Sequence, residues 1–392
     1  MPSVDYIALA PELILIAAIC GVLIADLMLP PRLAWLAMPI SFAGVAATLA
    51  AVLYLAGDPV HRTLGGMFVV DPFAILFKLI FCLAALFVFA ISYDYLKDDE
   101  IHQGEYYLLL LSSLLGMLTI ASSRDLIAIF VALETISIPA FVLAGIRKND
   151  LKSNEASLKF FLFGVLSSAL MLYGMSLVYG VTGATNLSEI AVRLGESPPL
   201  EGLAILAVFF VVVGFGFKVS AFPFQWWVPD TYEGSPVPVA AFLSVASKTA
   251  GFVGLIQIMF VAFQDLADIW RPFIALVSVF TMTFGNLVAL QQKHIIRLLA
   301  YSSIGQAGYI ILPLGLISAT DSALNEQALV ASAIYLLIYA FMETGAFACA
   351  IAYGKRGGGY MIEDYSGAWY RSPGLAFSMT VFLLSLAGVI PL

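Results

Sequence analysis

The chain has 392 residues, of which 61% are hydrophobic and only 11% are charged, and its formal net charge is −8 at pH 7. An average soluble protein carries about 25% charged residues, which its water-exposed surface requires. The composition therefore excludes a soluble globular enzyme and a disordered tail, and the acidic balance excludes a nucleic-acid-binding protein. The three cysteines lie far apart within apolar runs, which excludes a disulfide scaffold. The class of protein that remains is one that crosses a membrane many times.

About twelve apolar segments are long enough to cross a bilayer. A transmembrane helix needs about 20 apolar residues, because lipid offers no partners to the backbone polar groups. The predicted spans lie near residues 6–28, 34–56, 72–93, 106–122, 125–146, 157–181, 202–221, 237–263, 272–291, 296–317, 328–353 and 374–391. We therefore predict an all-α polytopic membrane protein without a soluble domain. The first segment lacks a basic flank and is predicted to be a retained helix, not a signal peptide.

The basic residues outside the spans are distributed unevenly between the loops. The loops after odd-numbered spans hold Arg32, Lys97, Arg147, Lys148, Lys152, Lys159, Lys293, Arg297, Lys355, Arg356 and Arg371. The loops after even-numbered spans hold only Arg62, Arg124, Arg193 and Arg271. Because basic loops stay in the cytoplasm, this bias predicts that the odd-numbered loops are cytoplasmic and that the N-terminus is outside.

Three ionisable residues lie deep within the predicted spans. Glu134 lies in the middle of the fifth span, Lys218 near the end of the seventh, and Lys248 in the first half of the eighth. A charge at the bilayer centre costs roughly 3 kcal/mol, so each of these residues requires a partner or a hydrated path. A buried lysine can gain or lose a proton as its surroundings change. The alternative is structural, namely a permanent ion pair between helices or, for Lys218, a side chain that reaches the membrane surface.

The seventh span is predicted to break beside Lys218. Pro223 lacks an N–H group, and its ring clashes with the carbonyl four residues back, near Val219. Gly214 and Gly216 weaken the same helix further. Broken spans at membrane depth survive only where they are buried or line water, and they mark ion sites in many transporters. A simple proline kink is the alternative.

Further candidates are less specific. Ser302, Gln306 and Tyr309 share one helix face because they are spaced by four and then three residues. Such a stripe can hold a file of water, or it can join helices by hydrogen bonds. Glu343 lies in the middle of the eleventh span. Since the sequence contains no nucleotide-binding loop and no histidine or cysteine cluster, a proton relay is the simplest chemistry that these residues support.

Four stretches resemble the antiporter-like membrane subunits of complex I, the proton-pumping NADH:quinone oxidoreductase. The most specific of them is FKVSAFPFQWWVPDTYEGSPVP at residues 217–238. The stretches SNEASLKFF at 153–161 and RLLAYSSIGQAGY at 297–309 agree with it, as do Pro11-Glu12 and Asp26 in the first span. The resemblance covers nearly the whole chain and is closest to the subunit N branch of the family.

The resemblance implies two inverted five-helix repeats, each with one broken helix. The corresponding segments of this chain are three N-terminal helices at residues 1–105, a first repeat at 106–263 and a second at 272–392. It also implies that Glu134 and Lys218 form a pair, that Lys248 is the central lysine of a proton path, and that distant quinone reduction drives proton movement. No cofactor or metal is expected on this chain, since NADH, FMN, iron–sulfur clusters and quinone are expected on other subunits. The implied partners are neighbouring antiporter-like and small membrane subunits in a bacterial cell membrane.

The chain departs from the family pattern at three places. It ends where the second broken helix is expected, so we expect a C-terminal truncation and an incomplete second repeat, with Pro391 at the break. Ile296 stands where lysine is common, with Lys293 one turn earlier, and Glu343 stands where a neutral residue, often asparagine, is usual. A sodium/proton antiporter subunit and a truncated, non-pumping scaffold are the alternative functions.

Overall fold

The computed structural model of the chain describes residues 4–99, 101–196, 201–318 and 322–389. Within them the α-helices are α1 Ala10–Met28, α2 Ala37–Leu55, α3 Pro72–Asp98, α4 Gln103–Ser122, α5 Leu126–Ala144, α6 Leu151–Thr182, α7 Leu187–Gly195, α8 Glu201–Val219, α9 Trp227–Gly234, α10 Val237–Phe242, α11 Lys248–Gln257, α12 Ala267–Ala289, α13 Ile295–Ile311, α14 Ser322–Lys355, α15 Ala368–Arg371 and α16 Pro373–Leu386. Strands β1 His61–Thr63 and β2 Phe68–Val70 form an antiparallel hairpin. Short 3₁₀ segments occupy Pro31–Leu36, Leu64–Gly66, Gln264–Leu266, Leu312–Leu316 and Ile362–Tyr365.

The fold is an all-helical polytopic membrane protein, as predicted. In the described part of the chain, 11 helical segments are long and apolar enough to cross a membrane. The segment predicted near 374–391 is the exception, because α16 has only 14 residues and ends at Leu386. Gly388 follows with a φ of +78°, a left-handed conformation that stops a helix. The prediction of about twelve spans is therefore one higher than the described count, and Pro391 lies outside the described residues.

Aspartate side chains cap the first turns of α3, α5 and α6. Asp71 accepts a hydrogen bond from the Ala74 N–H at 2.8 Å at the start of α3. Asp125 does the same for the Ile127 N–H at 2.9 Å at the start of α5. The first turn of a helix has N–H groups without a partner in the helix, so these caps satisfy groups that lipid cannot.

The loops alternate between two opposite faces of the helix bundle. On the first, here called the basic face, Arg147 pairs with Asp99, and the Ile295 N–H donates to the Tyr360 carbonyl at 2.8 Å. The first contact joins the loops that follow α3 and α5, and the second joins the loops that follow α12 and α14. On the second, the hairpin face, the loop after α4 meets the β1–β2 hairpin through a 2.8 Å hydrogen bond from the Arg124 N–H to the Met67 carbonyl, and Arg124 forms a 2.7 Å ion pair with Asp71 at the start of α3. The orientation of the two faces relative to the cytoplasm remains a prediction.

The seventh span ends beside Lys218, as predicted. Helix α8 stops at Val219, and Ser220 takes a φ of +64°. The chain then turns through a cis Phe222-Pro223 peptide before α9 begins at Trp227. Pro223 cannot donate a backbone hydrogen bond, so the helix cannot continue through this position. The paired repeats and their boundaries remain predictions of the family resemblance.

The eighth span forms the centre of the bundle. It runs from Val237 to Ala262 and is almost wholly buried within the protein. Its helix is wider than an α-helix at two places, because residues Leu243–Ser247 and Ile258–Ala262 have π-helical hydrogen bonding. Such π-segments occur often at functional sites, and the first of them ends directly before Lys248.

A buried ion pair joins two N-terminal helices near the hairpin face. Lys78 Nζ on α3 lies 2.7 Å from Glu12 Oε1 on α1, and both side chains are buried. The Phe68 ring of the hairpin covers the ammonium group at 5.0 Å. Neither charged group can reach water here, so the ammonium of Lys78 and the carboxylate of Glu12 each need the other as counterion.

Replacement of Lys78 alone should destabilise the protein. Lys78→Met leaves the Glu12 carboxylate buried without a counterion, and breaking such a pair typically costs about 3–5 kcal/mol. The double variant Glu12→Leu, Lys78→Met should recover most of this loss, because two apolar side chains of similar size need no partner. Melting temperatures in detergent check both expectations. Equal losses in the single and double variants would contradict a role for the charge pair.

Candidate functional site

The Glu134 carboxylate lies in the middle of α5 and faces α6. Ser168 on α6 donates a hydrogen bond to Glu134 Oε1 at 2.6 Å. The side chain is half-buried. A hydroxyl donor is a partner that stabilises a carboxylate without neutralising its charge.

The Lys218 ammonium lies in the last turn of α8 and points into the protein. Its side chain is 9% exposed, and its Nζ donates to Ser137 Oγ on α5. Ser137 follows Glu134 by three residues, so the serine that bonds Lys218 and the Glu134 carboxylate share one side of α5. The charges of Lys218 and Glu134 interact electrostatically, yet no direct ion pair joins them in the described structure. The direct partner of Lys218 is therefore Ser137, and its pairing with Glu134 remains a prediction.

The Lys248 ammonium is buried at the centre of the bundle, where α11 begins. Only 1% of its side chain is exposed. Its Nζ donates to the Ser303 carbonyl at 2.9 Å and to Ser303 Oγ at 2.8 Å, both on α13. The sequence stripe predicted Ser302, the adjacent residue, as a candidate on this helix. The residue that bonds the lysine is Ser303.

A close contact between α8 and α11 brings the two lysine positions together. A Cβ atom built on Gly251 would lie 2.9 Å from the Cβ of Lys218, so the two helices touch at this point. Gly251 follows Lys248 by three residues and therefore shares its side of α11. The contact needs a residue without a side chain, because real Cβ atoms do not approach each other this closely.

Alanine at position 251 should destabilise the protein. The Gly251→Ala methyl group would overlap Lys218 and force the helices apart, and overpacking of this kind typically costs about 1–3 kcal/mol. Gly180→Ala is the matched control, since its methyl group meets nothing within 4 Å. The control should be neutral or slightly stabilising because alanine favours the helix. Melting temperatures of the two variants decide the point, and equal values would argue against a tight contact at Gly251.

The Glu343 carboxylate lies in the middle of α14 and is fully buried. Ser244, in the π-segment before Lys248, donates to Glu343 Oε1 at 2.8 Å. The Tyr339 hydroxyl lies 3.0 Å from the same serine oxygen. Glu343 therefore contacts the lysine-bearing span directly.

The remaining sequence candidates lie in different surroundings. Gln306 donates to the Leu386 carbonyl at 2.6 Å and accepts from the Tyr335 hydroxyl at 2.5 Å, so it joins α13 to α14 and α16. Tyr309 is 40% exposed and faces outward. Lys293 is exposed in the loop on the basic face, away from the buried lysines.

An ion cluster on the basic face joins α6, α9 and α13. Arg297 of α13 donates to Asp230 at 2.9 Å and to Glu233 at 2.8 Å, both on α9. Lys159 and Lys152 of α6 bind the same two carboxylates at 2.6 and 3.2 Å. A cavity of about 160 Å³ opens between these side chains. The spacing of Asp230 and Glu233 by three residues is the signal in the sequence that could have identified this cluster.

The acids of this cluster keep their charges. Burial acts to raise the pKa of Asp230, but hydrogen bonds from Lys159 and Arg297 outweigh burial and hold the pKa below its ordinary value. Glu233 follows the same pattern, since hydrogen bonds from Arg297 and Lys152 outweigh burial and lower its pKa. Because both groups stay ionised at neutral pH, the cluster is a fixed clamp between α6, α9 and α13.

The buried charges show what class of protein this is. Lysines and carboxylates within transmembrane helices mark ion and proton pathways, since each is costly to place in lipid. Here they lie on α5, α8, α11 and α14, and one of them, Lys218, lies at the end of a broken span. The construction is that of an ion-translocating membrane protein.

Comparison with known proteins identifies the family. Residues 123–392 match the family model described as NADH:quinone oxidoreductase/Mrp antiporter, transmembrane. The chain is 39% identical to NADH-quinone oxidoreductase subunit N 2 of Solibacter usitatus, over 99% of the chain and 79% of that protein. It is 44% identical to subunit N of Moorella thermoacetica, over 90% of the chain and 72% of that protein. The chain therefore belongs to the NADH:quinone oxidoreductase/Mrp antiporter family, which confirms the resemblance to subunit N.

A solved structure agrees with this assignment. A chain of respiratory complex I from Thermus thermophilus with bound aureothin superposes with a TM-score of 0.77 at 32% identity. The match covers 97% of this chain and 78% of that chain. The relatives named here are longer than this chain, and the predicted incompleteness of the second repeat remains a prediction.

Proposed function

We propose that the chain is a proton-translocating subunit in the membrane arm of an NADH:quinone oxidoreductase, and that Glu134, Lys218 and Lys248 carry its proton. The observation that carries the proposal is that Lys218 and Lys248 are both buried and both donate hydrogen bonds to serine oxygens. The charge of Glu134 also acts on Lys218. A proton relay needs groups that can hold a charge and release it, and these side chains meet that need.

The Glu134–Lys218 pair is proposed as the switch of the relay. Two unit charges 4 Å apart at an effective dielectric of 20 attract by about 4 kcal/mol. A closed pair therefore favours the ammonium form of Lys218, and an open pair favours release of its proton. In the present geometry Lys218 is hydrogen-bonded to Ser137 and Glu134 to Ser168. The two charged groups do not bond each other, so we interpret this geometry as the open pair.

Lys248 is proposed as the next proton carrier. The contact at Gly251 brings the two lysine-bearing helices together, and the proton is proposed to pass from Lys218 to Lys248 beside it. Ser302, Gln306, Tyr309 and Lys293 are proposed as further members of a polar path, of which Gln306 is the buried one. Each of these four is a weaker candidate than the two lysines.

The driving energy is proposed to come from other subunits. NADH, FMN, the iron–sulfur clusters and the quinone are assigned to them, and the neighbouring antiporter-like and small membrane subunits are the expected partners. The proposed location is the cell membrane of a bacterium, with the N-terminus outside. The concentration of lysine and arginine in the loops of the basic face supports that orientation.

Two alternatives remain. A sodium/proton antiporter subunit is favoured by the family description, which includes Mrp antiporters. Purification of the chain with its partners distinguishes it from the first proposal, because iron–sulfur proteins accompany an oxidoreductase and not a purely membrane-embedded antiporter. A non-pumping scaffold is the other alternative, and the variants below test it.

Loss of either member of the Glu134–Lys218 pair should block proton transfer. In the assembled complex, Lys218→Ala and Glu134→Gln should slow this path about 10²-fold or more, which is the usual contribution of a positioned acid or base. The measurement is the number of protons pumped per electron in proteoliposomes driven by NADH.

Surface variants provide the matched controls for that experiment. Lys97→Ala and Glu326→Gln remove exposed charges of the same types and should leave the proton yield unchanged. A normal yield in assembled Lys218→Ala complexes would overturn the relay.

A further inference from the structure

A carboxylate that the relay does not use lies beside the central lysine. Glu343 is wholly buried in the middle of α14, and its Oε2 has no hydrogen-bond partner in the part of the chain that the structure describes. Only its Oε1 is bonded, to Ser244 at 2.8 Å. Burial of an ionisable group without full pairing is costly, so this position demands an explanation.

Ser244 connects this carboxylate to the Lys248 helix. It precedes Lys248 by four residues in the π-segment, so the two side chains are neighbours on one side of the span. Tyr339, one turn before Glu343, also bonds Ser244, with its hydroxyl 3.0 Å from Ser244 Oγ and 3.2 Å from the Ser244 carbonyl. Two side chains of α14 thus bond one residue of the central span, and that residue lies four positions before Lys248.

The Lys248 ammonium group has one more N–H donor than it has acceptors among the described residues. An ammonium group carries three N–H donors, and Lys248 uses two of them on Ser303. Its third N–H has no partner among the described residues. An unsatisfied donor and an unsatisfied carboxylate oxygen therefore lie on neighbouring helices that meet at Ser244, and their charges interact electrostatically without a direct ion pair in the described structure.

The arrangement repeats the pattern of the first pair. In both, the lysine donates to a serine on another helix, and the glutamate accepts from a second serine on another helix. The four contacts are Lys218–Ser137, Ser168–Glu134, Lys248–Ser303 and Ser244–Glu343.

We infer that Lys248 and Glu343 form a second acid–base pair, in which Glu343 accepts the proton that leaves Lys248. The N–H bond of the ammonium breaks and leaves its electron pair on Nζ, and a lone pair of Oε2 forms the new O–H bond. An ammonium and a carboxylate become an amine and a carboxylic acid, so the net charge does not change. This inference rests on the proposed relay and extends it by one carrier.

The first test uses the assembled complex in proteoliposomes. Glu343→Gln should slow proton transfer about 10²-fold or more, because the amide cannot accept the proton. Glu326→Gln is the matched control, since it removes an exposed carboxylate from the same helix and should pump normally. Normal pumping by an assembled Glu343→Gln complex would overturn the inference.

The second test observes the carboxyl group itself. Infrared difference spectra between the resting complex and the complex during NADH turnover should contain the C=O stretching band of a neutral carboxylic acid. This band should be lost in Glu343→Gln, should shift in Ser244→Ala because the hydrogen bond to Oε1 is removed, and should remain in Glu326→Gln. If Glu343→Gln does not assemble, Glu343→Asp and Ser244→Ala decide, and an unchanged band in both would refute protonation of Glu343.

The outcomes separate this inference from the proposed function. If Lys218→Ala pumps normally, the relay itself fails, and Glu343 has no proton to accept. If Lys218→Ala stops pumping but Glu343→Gln does not, the relay stands and the second pair is wrong. Loss of pumping in both, with loss of the infrared band, supports the two together.

Discussion

The structure depends on how a charge is held where water is absent. A buried ammonium or carboxylate must have hydrogen-bond partners, because the desolvation cost in a low-dielectric interior is large. In this chain the partners of the deep charges at the centre are serines. A serine hydroxyl both donates and accepts, so it can serve either protonation state of its neighbour. This type of contact stabilises the group at its position and still allows its proton to leave.

The N-terminal ion pair differs from the central charges in how its two groups are held. Lys78 and Glu12 contact each other directly at 2.7 Å and are closed off by the hairpin. Transfer of a proton between them would remove the attraction that holds α1 to α3. Lys248 and Glu343 are instead held by Ser303 and Ser244, on which their positions would still depend after a proton had moved.

The parts of the site that could be predicted are those that local chemistry determines. The apolar runs predict the helices, and Pro223 predicts the end of α8 because proline excludes a continuing helix. The serine partners could not be predicted, since they depend on which face of one helix meets another. Ser302 and Ser303 illustrate this, because a rotation of α13 by one residue decides which of them reaches Lys248. The π-segment before Lys248 adds a further rotation of the central span that no residue pattern reveals.

The central span connects the two halves of the site. Lys248 faces Ser303 of α13, its neighbour Ser244 contacts Glu343 of α14, and Gly251 packs against Lys218 of α8. A movement of α8 against α11 at Gly251 therefore changes the surroundings of Lys218 and of Lys248 in the same step. Because Gly251 lies only one turn from Lys248 on α11, a displacement at Gly251 also displaces Lys248. In the proposed relay, the opening of the first pair and the release of the proton from Lys248 would then be coupled through this one segment, without any contact between Glu134 and Glu343.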